Sequence, residues 1–235
     1  GEVSPSLPSQ VAPRIAPASS VDSLRFVGLS ATPSTGASPR NAPAITAENK
    51  YVVLFDFGAK ANIQRELEKR GCTVTVVPCD TTAEEVISLA PDGIMLSNGP
   101  GDPAENVSII EEIRKLCEHG KIPIFGICLG HQMLALARGA KTSKLKYGHR
   151  GGNHPCKDLE TVRIYITSQN HGYAVENDSL PPCAKLLFVN ENDGTCEGIS
   201  YTDIPAFSVQ FHPEASGGPH DTNFLFDRFV EMMKS

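Results

Sequence analysis

From residue 51 onward, short unbroken apolar runs alternate with polar segments of helical period, and few folds accept that pattern. Tyr51-Val-Val-Leu-Phe-Asp-Phe57 reads as a strand, and Ala59 to Arg70 as a helix ended by Gly71. Thr73 to Val77 is a second strand, Thr82 to Leu89 a helix behind a threonine cap, and Gly93 to Ser97 a third strand. After Asn98-Gly-Pro-Gly-Asp-Pro103 come a helix over Val107 to His119, a strand over Ile122 to Ile127 and a helix from Leu129 to about Arg138. Further strands are expected at Val162 to Thr167, Lys185 to Asn190, Gly198 to Tyr201 and Ala206 to Phe211, with a closing helix over Thr222 to Met233. A strand that lacks polar alternation has to be covered on both faces, which places helices on either side of a parallel sheet. The expected fold is a three-layer α/β/α sandwich with a mostly parallel central sheet, flavodoxin-like, with ligands at the carboxyl ends of the strands.

The first 50 residues break this pattern. They hold seven of the 18 prolines, many Ser and Ala, and little apolar periodicity beyond Leu24 to Leu29. Such a segment buries too little surface to offset its ordering entropy, so 1–50 is expected to be a disordered linker or truncated remnant and 51–235 the folded domain. A transit peptide has similar composition, which would make the setting a plastid, but linkers are commoner. A chain that starts at Gly1 also fits a fragment with an upstream domain. Lys and Arg number 21 against 27 Asp and Glu, a net charge of −6, and no apolar run approaches the length of a membrane span. Nucleic-acid and membrane partners are therefore not expected. The seven cysteines are odd in number and form no CxxC pair, which fits a reducing, cytoplasmic setting and points to no zinc ribbon. No His/Cys/Asp spacing resembles a ligand set, so no metal is expected.

Gly126-Ile-Cys128-Leu-Gly130 falls where a strand meets a helix. G-x-nucleophile-x-G at such a junction is a nucleophile elbow, whose turn is so sharp that side chains on the flanking positions would clash. The helix beginning after Cys128 points its amides and positive dipole end at the sulfur, favouring thiolate. The other six cysteines are expected to be ordinary core residues. A thiolate attacking an amide needs a base that later protonates the departing amine, and His suits both tasks. Among the seven His, the strand over Ala206 to Phe211 delivers His212, and Pro213 keeps the chain extended so that Glu214 falls on the same side. The expected catalytic set is therefore Cys128, His212 and Glu214, with His131 and His220 structural. The order nucleophile, His, acid differs from that of α/β-hydrolases. An oxyanion would be met by the Leu129 amide at the helix start and by a bare amide of the Asn98-Gly99-Pro100-Gly101-Asp102 loop.

Cys128 in GICLGHQ, His212 and Glu214 in FSVQFHPE, and the loop LSNGPGDP resemble the triad-type class I glutamine amidotransferases over residues 51–235. Within that class, the YGHRGGNHP, TSQNHGYAV and GGPHD segments look like the small subunit of carbamoyl phosphate synthetase. The resemblance implies hydrolysis of L-glutamine: Cys128 attacks the side-chain amide, His212 acts as base and then acid, and Glu214 orients His212. It implies oxyanion amides from Gly99 and Leu129, and glutamine contacts from Gly99, Gly101, Leu129, Gln132, Asn170, Gly172 and Tyr173. It further implies a partner, the large synthetase subunit, with ATP and magnesium used there and no cofactor in this chain. The small subunit of that family carries a folded amino-terminal domain where this chain has its Pro/Ser/Ala-rich stretch. The competing functions are an amidotransferase for another acceptor, as in anthranilate synthesis, and a non-catalytic assembly module of the same fold.

Overall fold

In a computed structural model the described residues are 49–215 and 221–234. The linker expected over 1–50 falls outside them except for its last two residues, as do Gly217 to His220 of the GGPHD segment.

The amino-terminal half is the expected alternation. β1 (Tyr51–Asp56), β2 (Thr73–Pro78), β3 (Gly93–Leu96), β4 (Ile124–Ile127) and β9 (Ala206–Val209) run parallel in the order β2-β1-β3-β4-β9. Successive residues of β1 feed opposite cores, as strand geometry requires. Val52 and Leu54 pack with α1 (Ala61–Glu68) and α5 (Phe224–Met232), through Ile63, Leu67, Phe226 and Phe229. Val53 and Phe55 pack instead with α2 (Ala83–Ser88), α3 (Val107–His119) and α4 (Leu129–Ala137), through Val86, Ile113 and Met133. Two cores on two faces of one sheet make the three layers. Phe125 anchors the first core, stacked on Phe207 at 4.3 Å and edge-on to Phe226 at 5.7 Å between ring centroids.

The carboxyl half corrects the expectation of a mostly parallel sheet. β8 (Cys196–Tyr201), β7 (Ala184–Asn190), β5 (Thr142–Asp158) and β6 (Ile164–Val175) extend the sheet beyond β9, and every pair from β9 outward is antiparallel. Among the described residues the nine-stranded sheet is thus divided evenly, with four parallel and four antiparallel pairings. The fold is α/β as expected. β5 carries no strand signal in the sequence because its residues are mostly polar and largely exposed, with Gly148, Gly151 and Gly152 interrupting it. β6 begins two residues later than expected, since Val162 lies in a turn at φ 61°, and it continues to Val175. Two cysteines also depart from expectation: Cys79 is exposed and Cys183 half-buried, while Cys72, Cys117, Cys156 and Cys196 are buried.

Candidate active site

The site is built at the carboxyl ends of β1, β3, β4 and β9. Cys128 caps α4 with φ 54° and ψ −103°, a conformation L-residues rarely adopt, and its amide donates to the Val209 carbonyl at 2.9 Å. A side chain at Gly130 would place Cβ 2.3 Å from the Leu96 carbonyl oxygen, and one at Gly126 would come within 2.9 Å of the Gly130 backbone. The two glycines are what let β4, β3 and α4 approach closely enough to form the turn. Cys128 itself is buried.

His212 sits just beyond β9, its amide donating to the Ser168 carbonyl of β6 at 2.9 Å. Its Nδ1 hydrogen bonds with Glu214 Oε1 at 2.8 Å, and its ring also hydrogen bonds with Cys128. Burial opposes charge on this ring, but its hydrogen bonds with Cys128 and Glu214 prevail and raise its pKa to about 9. Burial likewise pushes Glu214 up, yet His212 and the Lys60 ammonium, 3.4 Å from Oε1, hold it below the usual carboxylate value. Asn62 Nδ2 donates to the Glu214 carbonyl at 3.2 Å. Lys60 and Asn62, from the β1–α1 loop and the first turn of α1, carried no motif in the sequence, because they lie some 150 residues from the acid they hold.

The same loop fixes the Asn98 to Asp102 segment. Lys60 N–H donates to Asn98 Oδ1 at 3.0 Å, Asn98 Nδ2 donates to the Gly58 carbonyl at 3.1 Å, and a Cβ on Gly99 would fall 2.2 Å from the Phe57 carbonyl oxygen. Opposite lies β6. Gln132 Nε2 donates to the Tyr173 carbonyl at 2.7 Å and to Gln210 Oε1 at 2.9 Å, and the Tyr173 hydroxyl bonds to Asp102 across the opening. Between these walls is a cavity of about 90 Å³ lined by Gly99, Pro100, Gly101, Cys128, Gln132, Asn170, His171, Gly172 and Tyr173. The structure therefore brings Cys128, Gly99, Gly101, Gln132, Asn170, Gly172 and Tyr173 together around one space, with His212 and Glu214 behind the sulfur. Leu129 does not line that cavity; it heads α4, and its side chain lies against Gly99. His131 is fully buried, with Nδ1 2.8 Å from Ser208 Oγ, which fits a structural part, and burial lowers its pKa to about 3. His220 lies outside the described residues. Reading by spacing alone also passed over a grouping of His149, His171 and Glu197, whose ligand atoms lie within 4.8 Å of one another.

The family description glutamine amidotransferase class-I matches residues 53–232, nearly all of the described chain. The chain belongs to the class I glutamine amidotransferases. Among relatives of this amidotransferase, the carbamoyl phosphate synthase small chain of Staphylococcus epidermidis is 58% identical over 190 residues, 80% of this chain and 51% of that one. The protein of the same name from Listeria monocytogenes is 54% identical over 211 residues, 89% of this chain and 58% of that one. The chain thus spans about half the length of the curated relatives it matches. A glutamine amidotransferase from Thermotoga maritima shares the fold with a TM-score of 0.58 at 18% identity, over 80% of this chain and 85% of that one. A Thermoplasma acidophilum protein provisionally described as belonging to GMP synthase shares it with a TM-score of 0.70 at 23% identity, over 80% of this chain and 96% of that one.

Proposed function

We propose that this amidotransferase hydrolyses L-glutamine to glutamate and ammonia through Cys128, His212 and Glu214. The observation that carries the reading is the strained, buried Cys128 at the mouth of a helix, hydrogen bonded to an imidazole that Glu214 holds charged. Cys128 Sγ attacks the side-chain amide carbon, and the negative charge moves to the carbonyl oxygen, where the Leu129 and Gly99 amides receive it. Collapse breaks the C–N bond as His212 gives its proton to the departing amine, releasing ammonia and leaving a γ-glutamyl thioester. His212, now neutral, takes a proton from water; the hydroxide attacks the thioester, and glutamate leaves as Cys128 regains its sulfur charge. Glu214 stabilises the imidazolium in both halves and fixes the ring through Nδ1. Gly101, Gln132, Asn170, Gly172 and Tyr173 hold the substrate.

The relatives named carbamoyl phosphate synthase small chain support a further assignment, delivery of the ammonia to a large synthetase subunit for carbamoyl phosphate, and so to pyrimidine and arginine biosynthesis. ATP and magnesium would act on that partner, in the cytoplasm, and this chain would use no cofactor. No described helix is long and apolar enough to cross a membrane. The test is glutamate release from glutamine by the purified chain, with and without a large subunit, ATP and bicarbonate. Cys128→Ser should abolish release while preserving the fold, and the large subunit should stimulate the unsubstituted chain. Release by Cys128→Ser at the unsubstituted rate would remove the nucleophile assignment; turnover indifferent to the large subunit would remove the partner and leave the glutaminase.

A further inference from the structure

His149 on β5, His171 on β6 and Glu197 on β8 converge beside the glutamine cavity. Each histidine has one ring nitrogen committed to a fixed acceptor: His149 Nε2 lies 2.8 Å from Asp193 Oδ2, and His171 Nδ1 lies 2.7 Å from the Tyr173 carbonyl oxygen. An acceptor there keeps a hydrogen on that nitrogen, so a metal ion that displaced the proton from the opposite nitrogen would meet its lone pair. Those opposite nitrogens converge. His149 Nδ1 is 3.0 Å and His171 Nε2 2.8 Å from Gln169 Oε1, and His149 Nδ1 is 3.3 Å from Glu197 Oε1. Ligands on a tetrahedral zinc, with bonds of about 2.0–2.2 Å, stand roughly 3.3 Å from one another; His149 Nδ1 and Glu197 Oε1 have that separation, and with His171 the ligand atoms lie within 4.8 Å of one another, so the group would draw in slightly around an ion.

Two further observations point to an ion. Glu197 is fully buried and its Oε2 has no hydrogen-bond partner, a costly arrangement for a carboxylate, while Asn190 Nδ2 holds Oε1 at 3.1 Å. A cavity of about 280 Å³, lined by Leu145 to His149 and Asp193, opens beside His149 and gives an entry path.

We propose that His149 Nδ1, His171 Nε2, the Glu197 carboxylate and Gln169 Oε1 form a binding site for a divalent transition-metal ion, zinc by its ligand chemistry. Asp193 and the Tyr173 carbonyl are the outer partners that orient the two imidazoles. Two imidazoles in a set of four disfavour magnesium and calcium, which take oxygen. The ion would clip β5, β6 and β8 together at the back of the cavity wall. The site stands apart from the glutaminase assignment, and its test measures binding alone.

The full chain carrying Cys128→Ser and Cys79→Ser, which removes the candidate nucleophile and the exposed thiol, is titrated with Zn²⁺ by calorimetry and with Co²⁺ by visible absorption. The expected result is one ion per chain, cobalt ligand-field bands without the intense absorption of a thiolate ligand, and a higher thermal midpoint with zinc. His149→Gln and Glu197→Gln, each checked for native circular dichroism, should weaken binding by at least about tenfold. Absence of stoichiometric binding, a thiolate band, or undiminished affinity in these variants would overturn the site. Should Glu197→Gln fail to fold, the less buried His149→Gln decides alone.

Discussion

Cys128 is held in a strained conformation by its neighbours, and the cost is borne by two hydrogen atoms, those that stand in for side chains at Gly126 and Gly130. Gly130→Ala would drive a methyl to within 2.3 Å of a backbone oxygen that cannot swing aside. The expected loss is about 2–4 kcal/mol of unfolding free energy, read from urea midpoints, together with loss of glutamate release. His212 and Glu214 separate by role. Removing the proton carrier in His212→Asn should lower kcat by about 10²–10⁴-fold, and Glu214→Gln, which keeps an acceptor for Nδ1, should cost less. The reverse ranking would exchange their roles. Their positions were legible because Pro213 spaces them two residues apart on an extended chain. Lys60 and Asn62 were not, since the contacts that matter are made across the sheet and leave no local spacing. His212 also sets a pH dependence. Its folded pKa is about 9 against 6.5 when free. A group with a raised pKa stabilises fully below about 6.5, and that stabilisation is lost as pH rises through about 9. Denaturation midpoints should therefore fall between pH 6.5 and 9.5, and fall less in His212→Asn.

At the scale of elements, legibility follows burial. β1, β3, β4 and β9 are covered on both faces, and unbroken apolar runs marked them. α2 was marked by its chemistry instead. Thr82 Oγ1 accepts from the Glu85 amide at 3.3 Å while Glu85 Oε2 accepts from the Thr82 amide at 2.8 Å, a reciprocal box at the helix start. Thr82→Ala should cost about 1 kcal/mol by urea unfolding with no effect on the distant elbow. β5 and the middle of β6 escaped because their polar residues are chosen for what they hold, not for a pleated core. Thr167, Gln169 and His171 hydrogen bond within the network that supports the site, and Asn170 lines its cavity, so neither a period of two nor an apolar run survives. The even division of the sheet was hidden for the same reason: the strands that make it antiparallel include the least strand-like stretches of the chain.

Across the whole molecule, the candidate site draws on residues from Lys60 to Glu214, and the element that joins its two sides is the last of the described strands in chain order. β9 lies between β4 of the parallel half and β8 of the antiparallel half. During synthesis Cys128 leaves the ribosome more than 80 residues before His212, at a time when the sheet's central slot is empty. The parallel strands then have an open edge at β4 and the antiparallel strands one at β8, and neither half can close on the other. A chain ending before Ala206 should show no single cooperative unfolding transition, as monitored by circular dichroism, and restoring residues through Ser235 should recover it. The arrival of one four-residue strand, and of the histidine that follows it, thus completes the sheet and arms the thiol in the same event, so that an unfinished nascent chain carries a cysteine with no base beside it.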